Sequence, residues 1–293
     1  MKTVRNILSP PSRHWVGDGF HVASVVTPDR HQSPFILLDY GAPTLFAPSD
    51  EPRGVGPHPH RGFETVTIVY QGEVSHRDSA GNSGTVGPGD VQWMTAASGV
   101  LHEELHSPAF TRTGGTFEVA QIWVNLPARH KMSAPKYQSL VRPRIPVVPL
   151  PGSAGTVRVI GGSFGGVGGA ASTFTRVNVW DLALSAGERV VLPIAAGDNA
   201  AVFVRRGDPR IGGHVVSRHH LAELTPQGVD VEVVANGATE AIVLSGEPID
   251  EPLVAYGPFV MNTHAEIRRA IDDFQSGRMG QLEPSQHAVP QAG

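Results

Sequence analysis

Short apolar runs and partly alternating stretches, cut every few residues by glycine, proline or asparagine, dominate this chain. HVASVV at 21–26 alternates in part and PFILLDYGAP at 34–43 is a continuous apolar run, the patterns of a half-buried and a fully buried strand. Residues 65–96, TVTIVYQGEVSHRDSAGNSGTVGPGDVQWMTA, read as short strands separated by QGE, SAGNSG and GPGD, which supply the positive φ that tight hairpins need. FEVAQIWVNL at 117–126 adds another strand, so residues 1–135 are expected to form one β-barrel or sandwich. The proline-rich 136–155 reads as a surface linker. A second β series fills 156–262 with a similar turn rhythm, which hints at duplication. One helix is predicted over 263–277: Thr263 caps, Glu266 stands at the capping-box position, and Ile267, Ala270, Ile271 and Phe274 make an apolar stripe. The polar tail 278–293 is expected to be disordered.

Composition sharpens the class. In 293 residues, 34 Gly and 25 Pro beside 17 % charged residues favour short strands and turns, and the length suits two domains or one large all-β domain. A formal charge of −4, with 23 scattered Lys and Arg, gives no basic footprint for phosphate backbones, so no direct nucleic-acid binding is expected. There is no cysteine, so any metal must be held by His and carboxylate. The N-terminal MKTVRNILSPPSRHW lacks the apolar core of a leader peptide, and no window approaches the ~18 apolar residues of a membrane span. A soluble, cytoplasmic protein with no membrane partner is the expectation.

Several stretches imitate functional motifs. VRVIGGSFGGVGGA looks like a dinucleotide fingerprint, but a strand-like STFTRVNVW follows it where a helix is required, so a flexible loop is expected. SHRDSAG carries the kinase H-R-D triplet without its companions and reads as a hairpin turn. His214, His219 and His220 read as surface or turn residues.

LHEELHS at 101–107 contains H-E-x-x-H, which on a helix would set His102 and His106 around zinc. Gly99 and Pro108 leave a helix little room and no third ligand follows downstream, so a strand is expected instead. In a strand His102 and Glu104 share a face and Glu103 points away. His58 and His60 flank Pro59, and in extended backbone their imidazoles also point the same way. An antiparallel return would assemble His58, His60, His102 and Glu104, three imidazoles and a carboxylate. That set suits Fe(II) and, by small margins, Mn, Co, Ni, Cu or Zn, and on an octahedral metal it leaves two positions open. Phe63, Trp93 and Met94 are either walls for a planar ligand or ordinary barrel core.

The run HPHRGFETVTIVYQGEVSHRDSAGNSGTVGPGDVQWMTAASGVLHEE resembles the signature of the pirin family, within the cupin superfamily. QIWVNLPARHKMSAPKYQ and GPFVMNTHAEIRRAIDDF are similar to the family as well, so the resemblance spans most of residues 15–277. It implies an all-β bicupin: two stacked antiparallel β-barrels with a short C-terminal helix, a metal in the N-terminal barrel only, and a C-terminal segment packing back across the molecule. The family's H-P-H and H-x-E ligand positions fall on His58, His60, His102 and Glu104. General cupins use instead the glutamate after H-x-H, here Glu64, and His106 is a departure from the family pattern.

Pirin-like proteins include bacterial quercetinases, so the resemblance implies a quercetin 2,3-dioxygenase (flavonol 2,4-dioxygenase). Such an enzyme opens a flavonol ring with dioxygen and releases carbon monoxide, using one divalent metal per chain, Fe(II) first. The flavonol 3-hydroxyl and 4-carbonyl would fill the open positions and Glu104 would take the hydroxyl proton. Other pirin-like proteins imply the alternative, an iron-dependent redox-sensing regulator that binds a transcription factor or a metabolic enzyme.

Overall fold

Each long apolar run forms a strand, and the strands close into two barrels of matching plan. The computed structural model describes residues 1–282. In the first barrel a seven-stranded sheet runs Lys136–Leu140, Val91–Thr95, Phe63–Gln71, Gly115–Asn125, Phe35–Phe46, Phe20–Val26, His14–Val16. A four-stranded sheet faces it, in the order Gly54–His60, Val100–His106, Val74–Asp78, Ser83–Val86. The second barrel repeats the scheme with a seven-stranded and a four-stranded sheet. This is the bicupin plan, with a short C-terminal helix at His264–Gln275. Thr263 accepts a hydrogen bond from Glu266 N–H at 3.2 Å while the Glu266 carboxylate accepts from Asn262 N–H at 3.1 Å, a reciprocal cap that starts the helix.

Alternation along Phe63–Gln71 explains how the barrels stack. Thr65 and Thr67 lie on one face, whereas Val66 and Ile68 lie on the other and join Trp93, Ile122 and Val124. These meet Ile160, Val179, Phe203, Ile242 and Leu244 of the second barrel in one continuous apolar core. Each such side chain, fully buried, contributes about 1.5–3 kcal/mol. A buried polar group bridges the same interface. Glu118 of the first barrel accepts from Tyr40 at 2.7 Å and from Arg205 of the second at 2.6 Å, and the Arg205 guanidinium lies 3.2 Å from the Tyr70 ring centre.

Three sequence expectations need correction here. The supposed linker 136–155 is built into both sheets: Lys136–Leu140 pairs with Val91–Thr95, and Val147–Pro149 is the edge strand beside Gly155–Gly161. Leu140, Ile145 and Leu150 are buried anchors between the prolines, and an edge strand tolerates the missing N–H. Secondly, the boundaries are crossed at both ends. Val4–Leu8 pairs with Leu221–Leu224 in the second barrel, while Phe259–Met261 and the helix pack onto the first. Thirdly, Met279 is buried and its carbonyl accepts from Ser79 Oγ at 2.7 Å, so the tail is held at least to there. The rest of the tail expectation, residues 283–293, lies outside the described residues. Among the described residues no helix is long and apolar enough to cross a membrane.

Candidate metal centre

The H-E-x-x-H box lies on the Val100–His106 strand, so the helical zinc arrangement is ruled out by the fold itself. This strand pairs with Gly54–His60 on one side and Val74–Asp78 on the other. Directly opposite positions share a face of the sheet. His102 stands opposite both His58 and Asp78, and Glu104 stands opposite His76. An extra residue on the Gly54–His60 strand makes a bulge between His58 and Val55, where Gly56 and Pro57 sit.

His58, His60 and His102 converge. One ring nitrogen of each falls within a 4.8 Å set, and the ring centres are 4.2 to 4.9 Å apart. His58 Nδ1 lies 2.8 Å from the Gly56 carbonyl, which can only accept, so Nδ1 carries the proton and Nε2 is left for a ligand. His60 Nδ1 and His102 Nε2 are buried with no hydrogen-bond partner. Burial holds both rings well below the ordinary histidine range, reinforced at His60 by His58 and at His102 by His60 and His58. Neutral imidazoles with orphaned lone pairs fit a divalent cation, which would restore the missing contacts.

Glu104 stands beside this trio in an overlapping group with His76 and His102. Its Oε1 accepts from Thr67 Oγ1 and Gln92 Nε2, both at 3.1 Å. The second oxygen keeps its acceptor capacity. Glu64, the general cupin alternative, faces the other way: Thr95 Oγ1 donates to it at 2.7 Å, and burial pushes its carboxyl up to about 7. Glu103 points out of the barrel to Arg77, as strand parity requires. His106 is inward but deeper, with Nε2 3.0 Å from the Gly19 carbonyl and its ring among Phe20, Phe46, Phe110 and Phe117.

The expected walls divide. Phe63 packs edge-on against His60 at 5.2 Å, and Met94 joins Tyr137 beside the His76 ring. Trp93 does not face the site. It alternates with Gln92 and Met94 on its strand and lies against Gly161 of the second barrel, as interface core. Trp123, unmarked in the sequence reading, lies 5.3 Å from His60 and 4.3 Å from Phe63. His76 and Asp78 were also missed, because H-R-D was read as a turn; the turn begins only at Ser79. Burial raises the Asp78 carboxyl, but hydrogen bonds from His76 and Asn82 outweigh it and leave it below its usual value.

Arg61 and Gly62 tie this end of the barrel to the C-terminal segment. Arg61 N–H donates to the Pro258 carbonyl at 3.2 Å, its guanidinium donates to Asp273 at 2.8 Å, and Val260 N–H returns to the Arg61 carbonyl at 3.0 Å. Gly62 has φ +92, and a Cβ there would come 1.9 Å from the Val260 carbonyl oxygen. Only glycine allows this approach.

A protein of Pseudomonas aeruginosa named "Putative quercetin 2,3-dioxygenase" is 52 % identical over 281 residues, covering 95 % of this chain and 98 % of its own. The chain belongs to the pirin family. The family model described as Pirin matches residues 20–124, and that of the Pirin C-terminal cupin domain matches 179–280. A pirin-like protein of Arabidopsis thaliana is 38 % identical, over 90 % of this chain and 84 % of its own. Among solved structures, a quercetin 2,3-dioxygenase from Acinetobacter baumannii superposes with a TM-score of 0.94 at 47 % identity, covering 97 % of this pirin and all of that chain. Among the described residues, both groups able to hold a metal lie in the first pirin barrel and share His102. The interior of the second is apolar, built on Trp180 and Phe164 with Leu182, Val202, Val204, Val231 and Val243.

Proposed function

We propose that this pirin is a metal-dependent dioxygenase that opens the ring of quercetin-type flavonols with dioxygen and releases carbon monoxide. The observation that carries the proposal is the convergence of His58, His60 and His102, two of them with buried, unpartnered ring nitrogens. The names of the 52 %-identical relative and the 47 %-identical structure support the substrate class. In this proposal His58, His60, His102 and Glu104 hold one divalent metal, Fe(II) first. When bound, that metal supplies a Lewis acid for oxygen donors.

The chain's own residues do the rest. His58 is braced by the Gly56 carbonyl and Glu104 by Thr67 and Gln92, so both reach the site pre-oriented. Once released from the metal, the second oxygen of Glu104 takes the proton of the flavonol 3-hydroxyl. Trp123, half-buried and backed by Phe63, offers a ring face to a planar ligand, and Met94 packs behind the His76 side as adaptable apolar support.

The test is anaerobic purification with metal analysis, followed by a quercetin assay. One metal per chain, bleaching of the flavonol, and equal amounts of dioxygen consumed and carbon monoxide released are expected. His58→Ala/His102→Ala should lose the metal, and Glu104→Ala most of the turnover. Metal-loaded protein that bleaches quercetin no faster than free metal and yields no carbon monoxide overturns the proposal.

A further inference from the structure

His76 and Asp78 lie on the strand next to the one bearing His102 and Glu104, and neither belongs to the ligand set proposed above. Both are buried, at 3 % and 6 % exposure. Their contacts run in series: Asp78 Oδ2 is 3.3 Å from His76 Nε2, and His76 Nδ1 is 3.4 Å from His102 Nδ1. The direction of each hydrogen bond follows from chemistry. Asp78 acts as an acceptor throughout, since it takes the N–H groups of Ala80 and Asn82 at 3.0 and 2.9 Å and the Asn82 side chain on both oxygens. His76 must therefore carry its proton on Nε2, which in a neutral ring leaves a lone pair on Nδ1. His102 must then donate from Nδ1, which leaves its lone pair on Nε2. That is the buried atom without a partner.

We propose that His76, backed by Asp78, is a positioning residue that fixes His102 in the Nδ1–H tautomer and aims its Nε2 at the metal. The proposal rests on the metal-centre reading above. Tyr137 stacks on the His76 ring at 4.9 Å and 16°, and its hydroxyl donates to Gln92 at 3.3 Å, so the relay is clamped from outside. Ligating histidines characteristically give their second N–H to such a partner, and its loss weakens the metal about 10–100-fold. His76, His102 and Glu104 also stand close enough to be a ligand group themselves. In that arrangement His102 would bind through Nδ1, and its Nε2 would stay buried and unpaired.

Zinc alone is the probe, bound to the full chain and measured by chelator competition. His76→Ala should bind zinc about 10–100-fold more weakly with one zinc per chain retained. His76→Asn keeps an acceptor near the Nδ1 position and should recover most of that loss, while Asp78→Asn should fall between. Long-range 15N correlation spectra of the zinc-loaded parent should show His102 protonated at Nδ1 and metal-bound at Nε2, a readout that needs no variant to fold. Equal zinc affinity in parent and His76→Ala overturns the proposal, as does His102 bound through Nδ1. So does a zinc X-ray absorption spectrum that loses one imidazole in His76→Ala, which would make His76 a ligand. A parent that takes up no zinc overturns the metal centre and this role together, whereas a zinc-binding parent with an indifferent variant overturns only the role.

Discussion

On the Val100–His106 strand, His102, Glu104 and His106 all face inward, and depth separates their roles. Four residues at about 3.3 Å each carry His106 roughly 13 Å below His102. There it meets four phenylalanine rings and a carbonyl rather than the other histidines. His106→Ala should keep one metal per chain by elemental analysis and lose about 1–3 kcal/mol in urea unfolding; loss of the metal would contradict this. Glu64 makes a second test, through pH. Its carboxyl rises from 4.5 to about 7 because burial disfavours the charge. A raised value means that its contribution to stability is full below 4.5, falls as pH rises to about 7, and is absent above. The gap, 7 − 4.5 = 2.5, corresponds to about 3 kcal/mol. Glu64→Gln, which still accepts from Thr95, should gain on the parent by up to about that much between pH 4.5 and 7.5 and then stay level. A difference independent of pH would count against it. Strand parity made the faces of His102, Glu103 and Glu104 legible in the sequence. The same parity turns Trp93, which alternates with Gln92 and Met94, away from the site. His76 was hidden for another reason: its partner is fixed by cross-strand register, which no single segment carries.

At the scale of elements, long apolar runs identified their strands and the capping box identified the helix. The proline-rich 136–155 did not reveal its two edge strands, because burial of Leu140, Ile145 and Leu150 depends on surfaces supplied by other parts of the chain. The C-terminal element is the most consequential one for the site. Arg61 follows His60 directly, is 4 % exposed, and is held by Asp273 of the helix and by the Ser98 carbonyl. Asp273→Ala leaves that guanidinium short of a charged partner, and a stability loss of about 1.5–3 kcal/mol is expected. Faster hydrogen exchange at Val260, whose N–H bonds to Arg61, should accompany it. Unchanged exchange there would show that the helix does not brace the histidine strand.

For the whole molecule, the two-barrel architecture was readable from turn rhythm and resemblance, but the interface between the barrels was not. It combines a shared apolar core with the buried Glu118–Arg205 pair, side chains 87 residues apart in the chain. Because the core is continuous, the barrels should melt in one calorimetric transition. Glu118→Ala leaves Arg205 buried without that partner and should cost about 3–5 kcal/mol. Two separate transitions in the parent would contradict the shared core. The termini add a further link, since Val4–Leu8 completes the second barrel and Phe259–Met261 closes over the first. Translation runs from one end to the other, so the leading strand leaves the ribosome long before Leu221–Leu224 exists to receive it. The segment that ties down Arg61, next to His60, follows every barrel strand in the chain. The second barrel's leading strand therefore waits for Leu221–Leu224 to be made, and Arg61 is tied down only once Pro258–Val260 has followed.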